Sequence, residues 1–309
     1  MLTASGRYTG DSLKRRQDMN TETHSFNLGR FECLAVSDGT MTYAPPTFPP
    51  PANFLFLNAP PERRDQVLSE YGMEPGRWGE WISPYTCLVV STGEHLVLVD
   101  TGAGSLGPNT GELLQNLRSE SIEPDDIDTV ILTHGHPDHI GGITDAGGKV
   151  VFRKARYVMW KEEWDFWTTG RAEKALDEHS RGVLMEAARR NLPPIQEHID
   201  LISEEKEIIP GIKALAAPGH TPGQMALDIF SEGERLFYTS DVVLHPVHME
   251  QPGWHAAVDL DPDQVVRTRR KFLRMATSEN ALVFAFHFPF PGLGRVVRKG
   301  EAWRWLGFK

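Results

Sequence analysis

Seven residues of the kinds that bind metal ions lie in four short parts of this sequence. Three histidines and an aspartate fall within six positions, and two more histidines and an aspartate follow; the set is His134, His136, Asp138, His139, His220, Asp241 and His287. Packing alone gives no reason for the six-position cluster. Neutral imidazoles and carboxylates are ligands that zinc prefers and that manganese, cobalt and iron also accept. The residue types therefore predict a metal centre.

The spacing of the first cluster suits two metals. In an extended turn, alternate residues project to the same side, so His134 and His136 can face one ion. Asp138 and His139 would begin the following helix and could face a second ion beside the first. Two divalent cations bring four positive charges, and the Asp138 and Asp241 carboxylates with one bridging hydroxide remove three of them. The remaining charge of about +1 would attract an oxygen that becomes negative during a reaction.

Each group of ligands follows a short apolar segment that is typical of a β-strand. The predicted strands are Asp128–Leu132 before the first cluster, Ile208–Ala217 before His220, residues 235–239 before Asp241 and Ala281–Phe286 before His287. Strand ends of a layered α/β fold meet at one edge, where loops build sites. The seven residues are therefore expected to converge.

The other predicted elements complete two series of strands, each of which ends in a helix. Further strands are expected at 26–37, 85–100 (two strands around a turn at 91–94), 150–158 and 225–230, and helices at 62–71, 160–190 and 263–276. Two such series favour two β-sheets packed face to face with helices outside. We expect one domain over residues 21–309 after a flexible extension, residues 1–20. The proline-rich segment 44–61 is expected to serve as a lid or in a dimer interface.

Composition and charge exclude several functional classes. Of the 309 residues, 40% are hydrophobic and 24% are charged, as in an ordinary globular protein. A net charge of −10 disfavours nucleic acids and anionic membranes as partners. Two cysteines, Cys33 and Cys87, exclude a disulfide scaffold. The first residues lack the apolar core of a secretory signal, and no apolar run approaches the ~20 residues of a membrane span. We therefore expect a cytoplasmic protein.

Four motifs resemble those of the metallo-β-lactamase superfamily. They are THGHPDHIGG around the first cluster, GHTPGQ at His220, SDVV at Asp241, and LVLVDTG, which places Asp100 at a strand end. With His287 they fall in that superfamily's order over about residues 85–300. The resemblance implies an α/β fold of four layers, an αββα sandwich in which two mixed β-sheets are flanked by helices and enclose a dinuclear metal site.

The resemblance also implies a role for each ligand. It divides them into two sets of three and one bridging carboxylate: His134, His136 and His220; Asp138, His139 and His287; and Asp241. It further implies that Asp100 orients a ligand histidine through a hydrogen bond. Two divalent ions, zinc before manganese, cobalt or iron, would be the cofactors.

The superfamily catalyses several reactions, and this sequence narrows them. Asp241 disfavours the clinical zinc β-lactamases, which lack a bridging aspartate. The length leaves no room for the flavin domain of the diiron oxidoreductases, and the nuclease branches usually add a basic module that this acidic chain does not offer. The acyl-homoserine lactonases share all seven ligands, but they commonly have a tyrosine where this chain has Leu244. A metal-binding redox sensor is the non-enzyme alternative.

The whole chain looks most similar to the methyl parathion hydrolase family, through SDGT at 37–40, NAPPE at 58–62 and HFPFPGLGRV at 287–296. In that resemblance Trp167 falls on an aromatic residue of the substrate pocket. Leu106 and Val183 fall on two further pocket positions that are aromatic in the family. Their aliphatic side chains disfavour an aryl phosphotriester, so we expect a small, largely apolar ester or lactone as substrate.

The predicted mechanism is hydrolytic. A hydroxide bridging the metals would attack the carbonyl or phosphoryl centre, and Asp138 would relay a proton to the leaving group. Promiscuous hydrolysis of organophosphates is expected beside the main activity. A phosphotriesterase, a thioesterase and a β-lactam hydrolase are the enzyme alternatives, and the family together with the apolar residues at 48–56 favours a homodimer.

Overall fold

Two seven-stranded β-sheets lie at the centre of the protein in the computed structural model, which describes residues 22–74 and 76–308. The first sheet consists of β1 (Thr23–Leu28), β2 (Phe31–Tyr43), β3 (Trp81–Ser91), β4 (Leu96–Val99), β5 (Thr129–Leu132), β6 (Arg156–Trp160) and β7 (Ile199–Ile202). The second consists of β8 (Lys206–Ile209), β9 (Ile212–Ala216), β10 (Met225–Ser231), β11 (Glu234–Tyr238), β12 (Leu282–Phe284), β13 (Leu293–Lys299) and β14 (Ala302–Gly307). The predicted extension, residues 1–20, lies outside the described residues.

Strands that follow one another in the chain are neighbours in both sheets. In the first sheet, β1 to β4 pair antiparallel and β4 to β7 pair parallel. In the second, β11 and β12 are parallel and the other pairs are antiparallel. The prediction of two mixed sheets is therefore confirmed.

The helices of the described residues lie outside the two sheets or in the connections. They are α1 (Pro51–Leu55), α2 (Pro61–Glu70), α3 (Leu113–Ser119), α4 (Pro137–Ile140), α5 (Lys161–Thr168), α6 (Arg171–Ala175), α7 (Glu178–Asn191), α8 (Val247–Glu250) and α9 (Pro262–Ser278). Asp261 caps the start of the long α9, and its side chain accepts a hydrogen bond from the amide of Gln264 at 2.9 Å. Such a cap satisfies a helix-end amide that has no partner within the helix.

Buried apolar side chains join the expected four layers of helices and sheets. One apolar cluster joins the facing sheets and contains Leu88 of β3 and Leu227 of β10; it also includes Leu117 of α3, which packs on the first sheet. A second cluster joins Phe237 of β11 to Phe272 of α9. Apolar burial against both faces of each sheet holds the sandwich together, and the predicted αββα architecture is confirmed.

Several predicted boundaries are wrong. Residues 160–190 are three helices, because Gly170 adopts a left-handed φ of 76° and Leu176 is extended. The segments 26–37 and 208–217 each form a hairpin, with glycine turns at Gly29 and Gly211. The strand expected at 150–158 begins only at Arg156, and β7, β13 and β14 were not predicted.

The proline-rich segment 44–61 packs on the chain itself. Its residues Phe54, Leu55 and Phe56 are buried in a third apolar cluster with Leu244 and Trp254. A role of this segment as a lid or in a dimer interface stays a prediction. No helix among the described residues has the length and apolar character needed to cross a membrane.

Candidate metal centre

The predicted ligands stand on loops that follow strands of both sheets. Beyond β5, His136 precedes α4, and Pro137 at the first helical position suits the fixed φ of proline. Asp138 and His139 therefore lie on the first turn of this short helix. The other three ligands come from the second sheet, on the loops after β9, β11 and β12.

The tertiary structure brings all seven predicted ligands together in two clusters. The ligand atoms within each cluster lie within 4.8 Å of one another; the clusters are His134, His136, His220 and Asp241, and Asp138, His139, Asp241 and His287. Every one of these side chains is buried. Asp241 belongs to both clusters, so the geometry has the grouping that the resemblance implies.

The Asp241 carboxylate lies at the centre of the two clusters. Its Oδ2 is 3.1 Å from Nε2 of His287 and 3.3 Å from Nε2 of His220, and its Oδ1 is 3.3 Å from Nε2 of His139. Among the described residues, Nε2 of His134, Nε2 of His139 and Oδ1 of Asp241 have no hydrogen-bond partner. Buried polar atoms without partners are costly, and a cation held by these atoms would remove that cost. The donor set therefore fits divalent metal ions.

Asp100 occupies the position that the resemblance implies for it. Its Oδ2 lies 2.8 Å from Nδ1 of His139 and accepts a hydrogen bond from the Tyr238 hydroxyl at 2.9 Å. Its Oδ1 accepts from the amide of Thr133 at 2.8 Å. The carboxylate thus fixes the His139 ring and the start of the loop that follows β5.

Two further residues orient ligand histidines, and the sequence motifs do not predict them. Oδ1 of Asp259 lies 2.8 Å from Nδ1 of His220, and Oγ of Ser83 lies 2.9 Å from Nδ1 of His287. Metal-binding histidines almost always use their second ring nitrogen in this way. Ser83 is 204 positions from its partner, and no motif in the sequence connects the two.

Burial and neighbouring charge set the protonation of the clusters. Burial is the main reason that the pKa values of His134 and His136 lie well below the usual histidine value. For Asp241, burial acts in the opposite direction, but His287 and His139 hold the pKa of the carboxyl well below its usual range. Against the effect of burial, Asp241 and Asp100 raise the pKa of His139, and Asp259 and Asp241 raise that of His220. Metal binding requires neutral imidazoles, so a cation would compete with a proton for these two rings.

The predicted pocket residues differ in how much surface they expose. Trp167 is 2% exposed, and its ring lies 5.6 Å from that of His136. Leu106 is half-buried, whereas Val183 on α7 is 53% exposed. Substrate contact by these three residues stays a prediction.

An aromatic group that the motifs do not reveal lies beside His287. The ring centroid of Trp81 is 5.9 Å from that of His287 and 5.0 Å from that of Tyr43. Tyr43 also contacts Phe48 at 4.6 Å, and its hydroxyl lies 2.7 Å from that of Tyr85. This site therefore has an apolar wall that carries hydroxyl groups.

The chain is similar in sequence and in fold to known proteins. Residues 82–287 match the family model of the Metallo-beta-lactamase superfamily. An N-acyl homoserine lactonase of Bacillus sp is 28% identical over 169 residues, which are 48% of this chain and 59% of that protein.

Two solved structures are similar over nearly the whole chain. AidC, a dizinc quorum-quenching lactonase, is 28% identical with a TM-score of 0.82, over 93% of this chain and 97% of that one. The hydrolase AbOPH of the beta lactamase superfamily is 25% identical with a TM-score of 0.83, over 94% of this chain and 100% of that one.

Proposed function

Since the chain belongs to the metallo-beta-lactamase superfamily, we propose that it is a hydrolase of small, largely apolar lactones and esters that works with two divalent cations. The observation that carries the proposal is the pair of buried clusters that share Asp241. A lone structural metal would need only one of them.

Each cluster would hold one cation, and Asp241 would contribute to both. Zinc is the first candidate, because AidC is a dizinc enzyme and imidazole with carboxylate suits zinc; manganese, cobalt and iron accept the same ligands. When bound, such ions polarise a carbonyl oxygen and lower the pKa of water from 15.7 to about 7.

Asp138 is the proposed catalytic residue. Its side chain is 11% exposed, and its Oδ2 lies 3.4 Å from Nε2 of His287, at the edge of the second cluster. A carboxylate in this position can take the proton of the attacking water and give it to the leaving alkoxide oxygen. A ring-opened lactone keeps that oxygen as a hydroxyl group.

The Tyr43 hydroxyl is the proposed hydrogen-bond donor to the substrate carbonyl. Tyr85 is fully buried, and among the described residues its hydroxyl has Tyr43 as its partner. A buried hydroxyl that donates no hydrogen bond is costly, so the Tyr85 hydroxyl donates to that of Tyr43. The proton of the Tyr43 hydroxyl then stays available for the substrate. Burial and then the charges of Asp138 and Asp241 raise the pKa of Tyr43 well above its usual value, which keeps this proton in place.

Lactones of the N-acyl homoserine class are the first substrates to test. The support is the lactonase activity named for the Bacillus sp and AidC relatives and the apolar wall of Tyr43, Phe48 and Trp81, which suits an acyl chain. The alternative of a phosphotriesterase has no specific observation in its favour beyond the sequence resemblance.

The proposal is tested by hydrolysis of a panel of lactones, p-nitrophenyl esters, thioesters, nitrocefin and paraoxon, with and without chelator. We expect lactones or esters to react fastest, and His136→Ala to abolish hydrolysis with an unchanged circular dichroism spectrum. His95→Ala is the matched control, because His95 is part-exposed and pairs with Asp128 instead. Full activity in His136→Ala, or in chelated protein, would contradict the proposal.

A further inference from the structure

Glu163 on α5 is a fully buried carboxylate that accepts hydrogen bonds from four donors. Its Oε1 accepts from the Gly135 amide at 3.0 Å and from Nε1 of Trp167 at 2.6 Å. Its Oε2 accepts from Oγ1 of Thr221 at 2.7 Å and from the Gly223 amide at 2.9 Å. The residue is 0% exposed. Burying a carboxylate is costly unless it is well hydrogen-bonded, and these four hydrogen bonds compensate for the burial of Glu163.

The donors to Glu163 belong to the two loops that carry the first cluster. Gly135 lies between His134 and His136 on the loop after β5 of the first sheet. Thr221 and Gly223 follow His220 on the loop after β9 of the second sheet. One side chain therefore ties together loops from opposite sheets.

Close packing supports the same role for the start of α5. A Cβ atom on Gly135 would lie 2.4 Å from the ring of Trp167, and one on Gly223 would lie 2.1 Å from the Glu163 amide nitrogen. Only glycine permits this approach of backbone to α5. Both ligand loops are thus pressed against the helix that carries Glu163.

The ligands held in this way are next to each other in the site. Nδ1 of His136 lies 2.9 Å from Nε2 of His220. The second cluster has other supports, since His139 is oriented by Asp100 and His287 by Ser83. Loss of the Glu163 carboxylate should therefore affect one cluster more than the other.

We propose that Glu163 is a positioning residue that sets the separation of His136 and His220 and thereby the cation affinity of the first cluster. The inference rests on the proposed function, because it requires both clusters to bind cations. Glutamine at this position keeps the shape but offers an NH2 group to donors, so at least one of the four hydrogen bonds is lost.

The test is titration of the metal-free protein with Co²⁺, followed by visible absorption and by elemental analysis in the presence of a competing chelator. In Glu163→Gln we expect one of the two binding steps to weaken about 10- to 100-fold, as for other partners of metal ligands, and the other step to be unchanged. Glu162→Gln is the matched control, because Glu162 is exposed and pairs with Arg171.

The outcomes separate this inference from the proposed function. Two unchanged steps in Glu163→Gln, or equal weakening of both, would overturn the role of Glu163. Wild-type protein that binds fewer than two Co²⁺ per chain would instead contradict the proposed function. If Glu163→Gln does not fold, Thr221→Val and Trp167→Phe each remove one donor. Weakening of one binding step, the same in both variants, supports the inference, and unaltered binding in both overturns it.

Discussion

Nδ1 of His220 lies 2.8 Å from Oδ1 of Asp259, 39 positions along the chain. The other Asp259 oxygen accepts a hydrogen bond from the Ala256 amide at 2.8 Å, so the carboxylate is itself held in place. When the His220 ring is neutral and its Nδ1 donates to Asp259, the lone pair of the ring is on Nε2, which lies 3.3 Å from Oδ2 of Asp241. Asp259 thus selects the ring nitrogen that faces the first cluster.

Replacement of Asp259 should weaken metal binding. For Asp259→Ala we expect an affinity loss of about 10- to 100-fold, measured by competition with a chromogenic chelator, because His220 loses the partner that orients its ring. Asp259→Asn can still offer an amide oxygen to Nδ1 and should lose less. The exposed Asp263, changed to alanine, is the control. Equal affinity in wild type and Asp259→Ala would show that this contact does not support the site.

Removal of the Tyr43 hydroxyl should slow hydrolysis without loss of metal. Tyr43→Phe keeps the ring that packs on Trp81 and Phe48, and we expect kcat to fall by about 100-fold, as when one donor to a developing oxyanion is removed. Steady-state kinetics and metal analysis check this. Tyr71→Phe is the control, since that hydroxyl bonds Glu250 instead. An unaltered kcat would remove Tyr43 from the mechanism.

Chelation should lower the thermal stability of the protein. Nε2 of His134, Nε2 of His139 and Oδ1 of Asp241 have no hydrogen-bond partner among the described residues, so a cation there favours the folded state. A ligand present at 100 times its Kd stabilises by about 2.7 kcal/mol, a shift that calorimetry resolves. We expect Tm to fall with chelator and to recover with zinc. In Asp241→Ala the chelator should have much less effect, and an identical response of both proteins would refute this account.

Asp38 should make stability depend on pH in an unusual direction. Burial raises the pKa of Asp38 to about 6, against the hydrogen bonds that it accepts from the Ala103, Gly111 and Leu113 amides. In the unfolded chain the carboxyl ionises near 3.8. Ionisation is therefore harder in the folded protein, and this group lowers the free energy of unfolding as pH rises from about 4 to about 6.

Asp38→Asn lacks this titration and tests its sign. Chemical denaturation of both proteins at several pH values should show wild type losing stability relative to the variant between about pH 4 and 6, by up to about 3 kcal/mol. Taking the difference between the two proteins cancels groups that titrate in both. A difference that is constant with pH would contradict the raised pKa.

Much of the fold and site follows from local sequence patterns. The strands before each ligand are short apolar segments, and their periodicity needs no information from distant residues. The same holds for α9, for which the sequence predicts 263–276 and the structure has Pro262–Ser278. The helix expected over 160–190 is broken instead, because one left-handed glycine outweighs the helix propensity of its neighbours.

The sequence by itself determined which seven residues form the candidate metal centre, because their types and spacing follow from strand ends and one short helix. Only the tertiary structure decided what holds them in place. Asp259 and Ser83 reach their histidines from 39 and 204 positions away, and Glu163 reaches the Gly135 and Gly223 amides of the ligand loops from 28 and 60 positions away. Such contacts depend on how the two sheets and α5 pack together, and packing across the sandwich leaves no periodic pattern in the chain.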